Sequence, residues 1–194
     1  MAAFPTPTSR SLMPQRYGHM TVIVVTGVMA AGKSTVAQRL AETLPRTAHV
    51  RGDLFRRMIV SGRAEMAPDD PAGAEDQLWL RYRLSAAAAD AYAESGFTTI
   101  VQDVILGADV PRYLDLLRTR PRHLVVLAPS RAAVAAREAR RTKKGYGDWT
   151  VEALDKALRH ETPRIGLWLD TSEDSPADTV DRILSRLPEA RITD

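Results

Sequence analysis

Apolar runs rich in β-branched residues alternate along the chain with longer amphipathic stretches. The first run, TVIVVT at 21–26, has the length and composition of a buried strand, and helical spacing follows over 34–44. A short strand is predicted near 48–51, after which Gly52 and Asp53 open a helix over 54–60 that Ser61 and Gly62 end. Two prolines and two adjacent acids in AEMAPDDPAG make 64–73 a loop, and a long helix over 75–94 stops at Ser95-Gly96. Strands are predicted at 98–101, 123–128 and 165–169. Between them lie helices at 109–118, with Asp109 as N-cap, at 131–141 behind a Ser130 cap, and at 150–159. Ser175, Pro176 and Asp178 occupy the N-cap, first and third positions of the last helix. Five strands alternating with helices predict an α/β fold, a three-layer sandwich whose five-stranded parallel sheet carries helices on both faces.

Length and charge narrow this picture without changing it. A chain of 194 residues suits one domain, expected over 20–194, behind a leader at 1–19 rich in Pro, Thr, Ser and Arg and expected to be disordered. The absence of cysteine excludes disulfides and thiolate zinc sites, so the cytoplasm is the expected compartment. No apolar run approaches the length of a membrane span, and four scattered histidines lack metal-ligand spacing. The formal charge of +3 is modest, with basic residues clustered between Arg112 and Lys144. That cluster suits nucleic acid, nucleotide phosphates or simple solvation.

Chemistry enters at 27–35, GVMAAGKST, a full G-x-x-x-x-G-K-[ST] motif set between a predicted strand and a predicted helix. Gly27 and Gly32 permit backbone angles that a side chain forbids, so the N–H groups of Ala30, Ala31 and their neighbours can turn inward around a β-phosphate. Lys33 then bridges the β- and γ-phosphates, Ser34 places its hydroxyl on Mg²⁺, and Thr35 can donate to the α-phosphate. ATP and Mg²⁺ are therefore the expected ligands.

A P-loop alone does not choose among kinases, switches and transporters. No guanine-reading N-K-x-D or T-K-x-D motif follows the fourth strand, and no transporter signature occurs. Asp53, just past the second strand, is the candidate base for an acceptor hydroxyl, or else the N-cap of 54–60. Asp103, just past the third strand, can hold Mg²⁺ through water, although Gln102 interrupts the ideal apolar approach; otherwise it is a structural strand-end acid. Arg137, Arg140, Arg141, Lys143 and Lys144 close the helix at 131–141 and begin a Gly-containing loop, so 137–149 reads as a lid. Guanidinium groups there can neutralise a transferring phosphoryl group, or simply complement a helix C-terminus.

These residues resemble the chloramphenicol phosphotransferase-like family of small P-loop phosphotransferases, with gluconate kinase and zeta toxin as wider relatives. The resemblance spans about 21–187. It is carried by GVMAAGKST, Gly52-Asp53, QDVILG at 102–107, Arg137-Glu138 with Arg141, and WLDTSEDSPADTVDRIL near the C-terminus. It implies an adenylate-kinase-like fold with a short lid and ATP with Mg²⁺. It also implies Asp53 as catalytic base, Arg137 and Arg141 on the phosphates, and 170–175 near the adenine.

The acceptor side, about 53–95, carries Arg56, Arg57 and Arg63. Trp79 and Arg83 are four apart on the long helix and so share a face, where they can meet a ligand or, for Trp79, pack. The expected activity is transfer of the γ-phosphoryl of ATP to a hydroxyl of an antibiotic, nucleoside or sugar-like molecule. The alternatives are a polynucleotide 5′-hydroxyl kinase and a non-enzymatic nucleotide-dependent binder.

Overall fold

Strand β1 (Thr21–Thr26) is buried at all six positions. Successive side chains of a strand point to opposite faces, so complete burial means that both faces of the sheet are covered here. In this computed structural model, residues 21–64, 72–140 and 149–193 are described. β1 leads through the P-loop into α1 (Lys33–Thr43), then β2 (Thr47–Arg51), α2 (Gly52–Arg57), α3 (Ala72–Glu94) and β3 (Thr98–Gln102). The second half runs α4 (Asp109–Leu116), β4 (Arg122–Leu127), α5 (Arg131–Ala139), α6 (Val151–Lys156), β5 (Leu167–Leu169), α7 (Pro176–Ser185) and β6 (Arg191–Ile192).

The parallel strands lie in the order β2-β3-β1-β4-β5, and helices cover both faces, an adenylate-kinase-like P-loop sandwich. Val24 is in register with Val101 of β3 and Leu124 of β4, so the carboxyl ends of the strands align along one edge. The chain passes from β1 to neighbours on either side, and open α/β sheets bind ligands outside the carboxyl ends at such a switch point.

Helix α3 packs through Tyr82, Ala86, Ala89 and Ala93, none more than 2% exposed, a stripe at helical spacing that lets the helix lie close on the sheet. Its buried Asp90 accepts from the Arg118 and Thr119 N–H groups and from the Thr119 hydroxyl, which fixes the far end of α3 to the loop before β4. The last helix begins as expected, with a reciprocal capping box between Ser175 and Asp178 and Pro176 in its first turn. Ser130 likewise accepts from the Ala133 N–H.

Several boundaries differ from the sequence reading. Asp109 is the first helical residue of α4 rather than its cap, and it faces Arg112 at 3.6 Å. α6 passes into a π-helical turn, Ala157–Glu161, where the Thr162 hydroxyl donates to the Ala157 carbonyl and accepts from the Gly107 N–H. A sixth strand, β6, adds antiparallel to the start of β4. Among the described residues no helix is long and apolar enough to cross a membrane. The leader at 1–19, Arg141, Lys143, Lys144 and the tip of the expected lid lie outside the described residues.

Candidate active site

The turns that leave the carboxyl ends of β1, β2, β3 and β5 surround a cavity of about 1050 Å³. Its floor is the P-loop. Gly27 has φ 145°, and a Cβ there would overlap the carbonyl oxygen of Leu127 on neighbouring β4. Gly27 therefore shapes the loop from behind rather than lining the cavity; it lets the chain leave β1 hard against the next strand. Ala30 (φ 59°) and Gly32 (φ 96°) take left-handed conformations that fold the loop over before α1 begins. The residues from Met29 to Val36 all line the cavity.

The first turn of α1 supplies N–H groups that the helix's own ladder does not use, at the positive end of its dipole. Lys33, 6% exposed, donates from Nζ to the Val28 carbonyl oxygen at 2.7 Å, which folds its ammonium back over the loop. Ser34 and Thr35 stand exposed on the cavity side. A glycine-shaped cradle at a helix start, with a buried lysine folded into it, fits a triphosphate.

Arg137 joins the two walls of the donor side. From the last turn of α5 its guanidinium donates to the carbonyl oxygens of Thr171 at 2.6 Å, Ser172 at 3.2 Å and Ala31 at 3.4 Å. It thus pins the P-loop to the loop after β5. That loop is fixed further where Ser172 Oγ accepts from the Ser130 N–H and donates to Asp170. The Ser172 hydroxyl, with its N–H, holds the Asp170 carboxyl below the usual carboxylate range. Thr171 and Asp174 line the cavity, and Thr171 Oγ1 is buried without a hydrogen-bond partner among the described residues. Arg140 is exposed at the C-cap of α5 and does not line the cavity.

At the end of β2, α2 begins with Arg51 at the N-cap and no side-chain cap bond. Asp53 therefore lies inside the first turn of α2, not at the cap. Its Oδ2 accepts from Arg57 at 2.6 Å, while Oδ1 is buried with no hydrogen bond and lies 3.8 Å from Arg51 Nε. Two residues before Arg51 on β2, burial and then Arg51 push the His49 imidazole below its ordinary value, against an opposing pull from Asp53.

Asp103, 2% exposed, is held by Arg81 of α3: Nε donates to Oδ2 at 2.8 Å and a second bond joins Nη2 to Oδ1. Oδ1 also accepts from the Val104 N–H at 2.7 Å. The carboxylate also lies close to Gly52, where an added Cβ would overlap Oδ2 and come within 2.6 Å of Cγ. Asp103 is thus paired with Arg81, and it lines the same cavity as the P-loop. Among the described residues no group of three His, Cys, Asp or Glu forms a metal cage. Ser34 is exposed at the start of α1 and lines the cavity, so its hydroxyl could serve as one oxygen ligand to Mg²⁺.

Two expected acceptor contacts lie elsewhere. Trp79 packs edge-on against Tyr82, and the Arg112 guanidinium covers its ring at 3.9 Å, so it belongs to the packing between α3 and α4. Arg83 is exposed and off the cavity; two residues from Arg81, it points to the opposite side of α3. Arg51 and Arg81, which the sequence reading did not single out, line the cavity with Arg56, Arg57 and Arg63.

A family model described as an AAA domain matches residues 22–164. The chain belongs to this AAA domain family. Among solved structures, this AAA domain is similar to a sugar kinase from Janibacter sp. HTCC2649, at 21% identity over 88% of this chain and 95% of that one, with a TM-score of 0.64. The tunicamycin resistance protein of Deinococcus radiodurans is 16% identical over 90% and 99% of the two chains, also at 0.64. A gluconokinase from Sinorhizobium meliloti 1021 is 20% identical over 88% and 93%, at 0.60. These likenesses extend over nearly the whole of each relative and establish a shared fold. No match is found among curated proteins.

Proposed function

We propose that this chain is an ATP-dependent phosphotransferase that moves the γ-phosphoryl group of ATP to a hydroxyl of a small molecule. The observation that carries it is that the P-loop with Lys33 and the carboxylate of Asp53 line one and the same cavity. A nucleotide-binding protein needs the first; a carboxylate in the same cavity, able to meet an acceptor hydroxyl, is what transfer adds.

The P-loop amides and Lys33 bind and orient the β- and γ-phosphates, and Ser34 would hold Mg²⁺, which would neutralise charge on their oxygens. Arg137 keeps the P-loop and the loop after β5 at a fixed separation, so the donor is presented in one orientation; Arg141, outside the described residues, is assigned to the phosphates by the family resemblance. Asp53 orients the acceptor hydroxyl and takes its proton as the acceptor oxygen bonds to the γ-phosphorus and the bridging bond to ADP breaks. Asp103 acts through Arg81, holding α3 and Gly52 in place. The resemblance to chloramphenicol phosphotransferase, and the sugar kinase and gluconokinase among the solved relatives, support hydroxylated small molecules as the acceptor class.

The test is acceptor dependence. ADP formation in the presence of Mg²⁺ should be slow with ATP alone and rise with at least one member of a panel of antibiotics, nucleosides, sugars and sugar acids. An identical rate with and without every panel member would overturn the proposal.

A further inference from the structure

Four buried polar atoms on residues that line the cavity make no hydrogen bond among the described residues: Arg51 Nε, Asp53 Oδ1, Gln102 Oε1 and Thr171 Oγ1. The first two lie 3.8 Å apart, so each charge offsets the other. Thr171 belongs to the loop after β5, on the donor side. Gln102 Oε1 is left, an amide oxygen without a counterpart on a residue 6% exposed. A buried polar group left unbonded costs stability, and where a protein keeps one in a cavity wall, a ligand can supply the missing bond.

Gln102 ends β3, in register with Val25 of β1 and Arg51 of β2. It therefore sits between the strand that leads into the P-loop and the strand that leads to Asp53. Side chains alternate along a strand, and the next residue, Asp103, bonds Arg81 of α3, so Gln102 faces the side of the sheet that carries α1. His49 agrees with this: it is in register with Ile100, on the same side as Gln102, and it bonds Gln38 of α1. A central strand and near-complete burial fix the amide in place. The chemistry of its partner is then narrow. Phosphate oxygens accept hydrogen bonds, so the triphosphate does not serve Oε1. A protonated amine would be a buried charge set against a neutral amide. A hydroxyl is neutral and donates, and it matches.

We propose that Gln102 determines which acceptors are used: its Oε1 accepts from a hydroxyl of the acceptor other than the one delivered to Asp53. The substrate is then a polyol. A compound in which that second hydroxyl is replaced by hydrogen is rejected, because it leaves the buried Oε1 unbonded in the complex. The inference rests on the kinase reading for the part played by Asp53, and on the unbonded amide alone for the second hydroxyl.

The experiment measures binding by calorimetry, with the donor site filled by Mg²⁺ and a non-hydrolysable ATP analogue. The probes are ribose with 2-deoxyribose, uridine with its 2′- and 3′-deoxy forms, and glucose with its 2-, 3- and 4-deoxy forms. In at least one series, loss of a single hydroxyl should weaken binding about tenfold or more. Gln102→Met, close in size but without the carbonyl, should abolish that difference and leave affinity for the ATP analogue intact. Its unfolding temperature should be unchanged or higher, since no bond within the protein is lost. Gln102→Glu, which keeps an acceptor oxygen, should retain the preference. Binding of no probe, deoxy forms binding as tightly as their parents, or Gln102→Met keeping the preference would each overturn the proposal. So would a Mg²⁺-dependent loss of ATP-analogue affinity in Gln102→Met, which would give Oε1 to a metal-bound water, or a lowered unfolding temperature, which would give it a structural bond. A polyol bound with this preference but never phosphorylated by ATP would sink the kinase reading alone; transfer to acceptors whose deoxy forms serve equally well would sink the role of Gln102 alone.

Discussion

Asp53→Asn should lower kcat by about 10²- to 10⁴-fold while ATP affinity and thermal stability stay near those of the unchanged protein. The substitution keeps the size of the side chain and an oxygen for Arg57, which bonds Oδ2 at 2.6 Å, but removes the capacity to take a proton. Because the Asp53–Arg57 pair is substantially exposed, with relative exposures of 35% and 52%, its loss costs little stability. Placement inside the first turn of α2, rather than at its cap, also frees the carboxylate from a capping duty that would confuse the result. Single-turnover kinetics with a fluorescent ATP analogue for binding would check it. A kcat within a fewfold of the unchanged protein would reduce Asp53 to an ion-pair partner of Arg57.

The second large effect lies behind the site. Asp103→Ala should destabilise the fold by about 3–5 kcal/mol, since it leaves the Arg81 guanidinium, 15% exposed, without its carboxylate. Gly52→Ala should cost about 1–3 kcal/mol by overpacking, because the new methyl would lie 2.6 Å from Asp103 Cγ. The φ of Gly52 is not in the left-handed region, so the cost is steric and comes from Asp103 alone. The two changes should therefore be coupled: with the carboxylate gone the methyl has room, and the double variant should be less destabilised than the sum by about 0.5–3 kcal/mol. Urea unfolding of the three variants measures this directly. Additive losses would mean that Gly52 and Asp103 do not share the contact that fixes the start of α2.

The contrast between Lys33 and Arg81 explains how far the sequence could be read. The P-loop is local: an apolar strand, glycines and a helix start occur within fifteen residues, so the chain itself states where Lys33 and Ser34 will sit. The same holds for the Ser175 to Asp178 capping box and for the order of strands and helices. Arg81 is different. Its partner Asp103 lies 22 residues away, just past β3, and the choice between Arg81 and Arg83 depends on how α3 is rotated against the sheet. The small-residue stripe through Tyr82, Ala86 and Ala89 contains that rotation, and with it the positions of Trp79 and Arg83 away from the cavity, but only once α3 is docked on β3. Likewise the acid at 103 was legible as a strand-end residue, whereas its bond to Arg81 and its contact with Gly52 arise from tertiary packing. β6, two residues long, has no periodicity to read.

The lining of the acceptor side follows the same rule. Arg56, Arg57 and Arg63 are near neighbours in sequence, but their convergence with Arg51 and Arg81 on one cavity is made by α2 and α3 packing together.

The most direct test of phosphoryl transfer follows the γ-phosphate itself. ATP carrying oxygen-18 in its γ-phosphoryl group is incubated with the protein, Mg²⁺ and the hydroxyl panel, and the products are resolved by mass. The prediction is one panel compound that gains a single labelled phosphoryl group, with ADP formed in equal amount. Label released only as inorganic phosphate, or retained on bound ATP whichever compound is present, would contradict it.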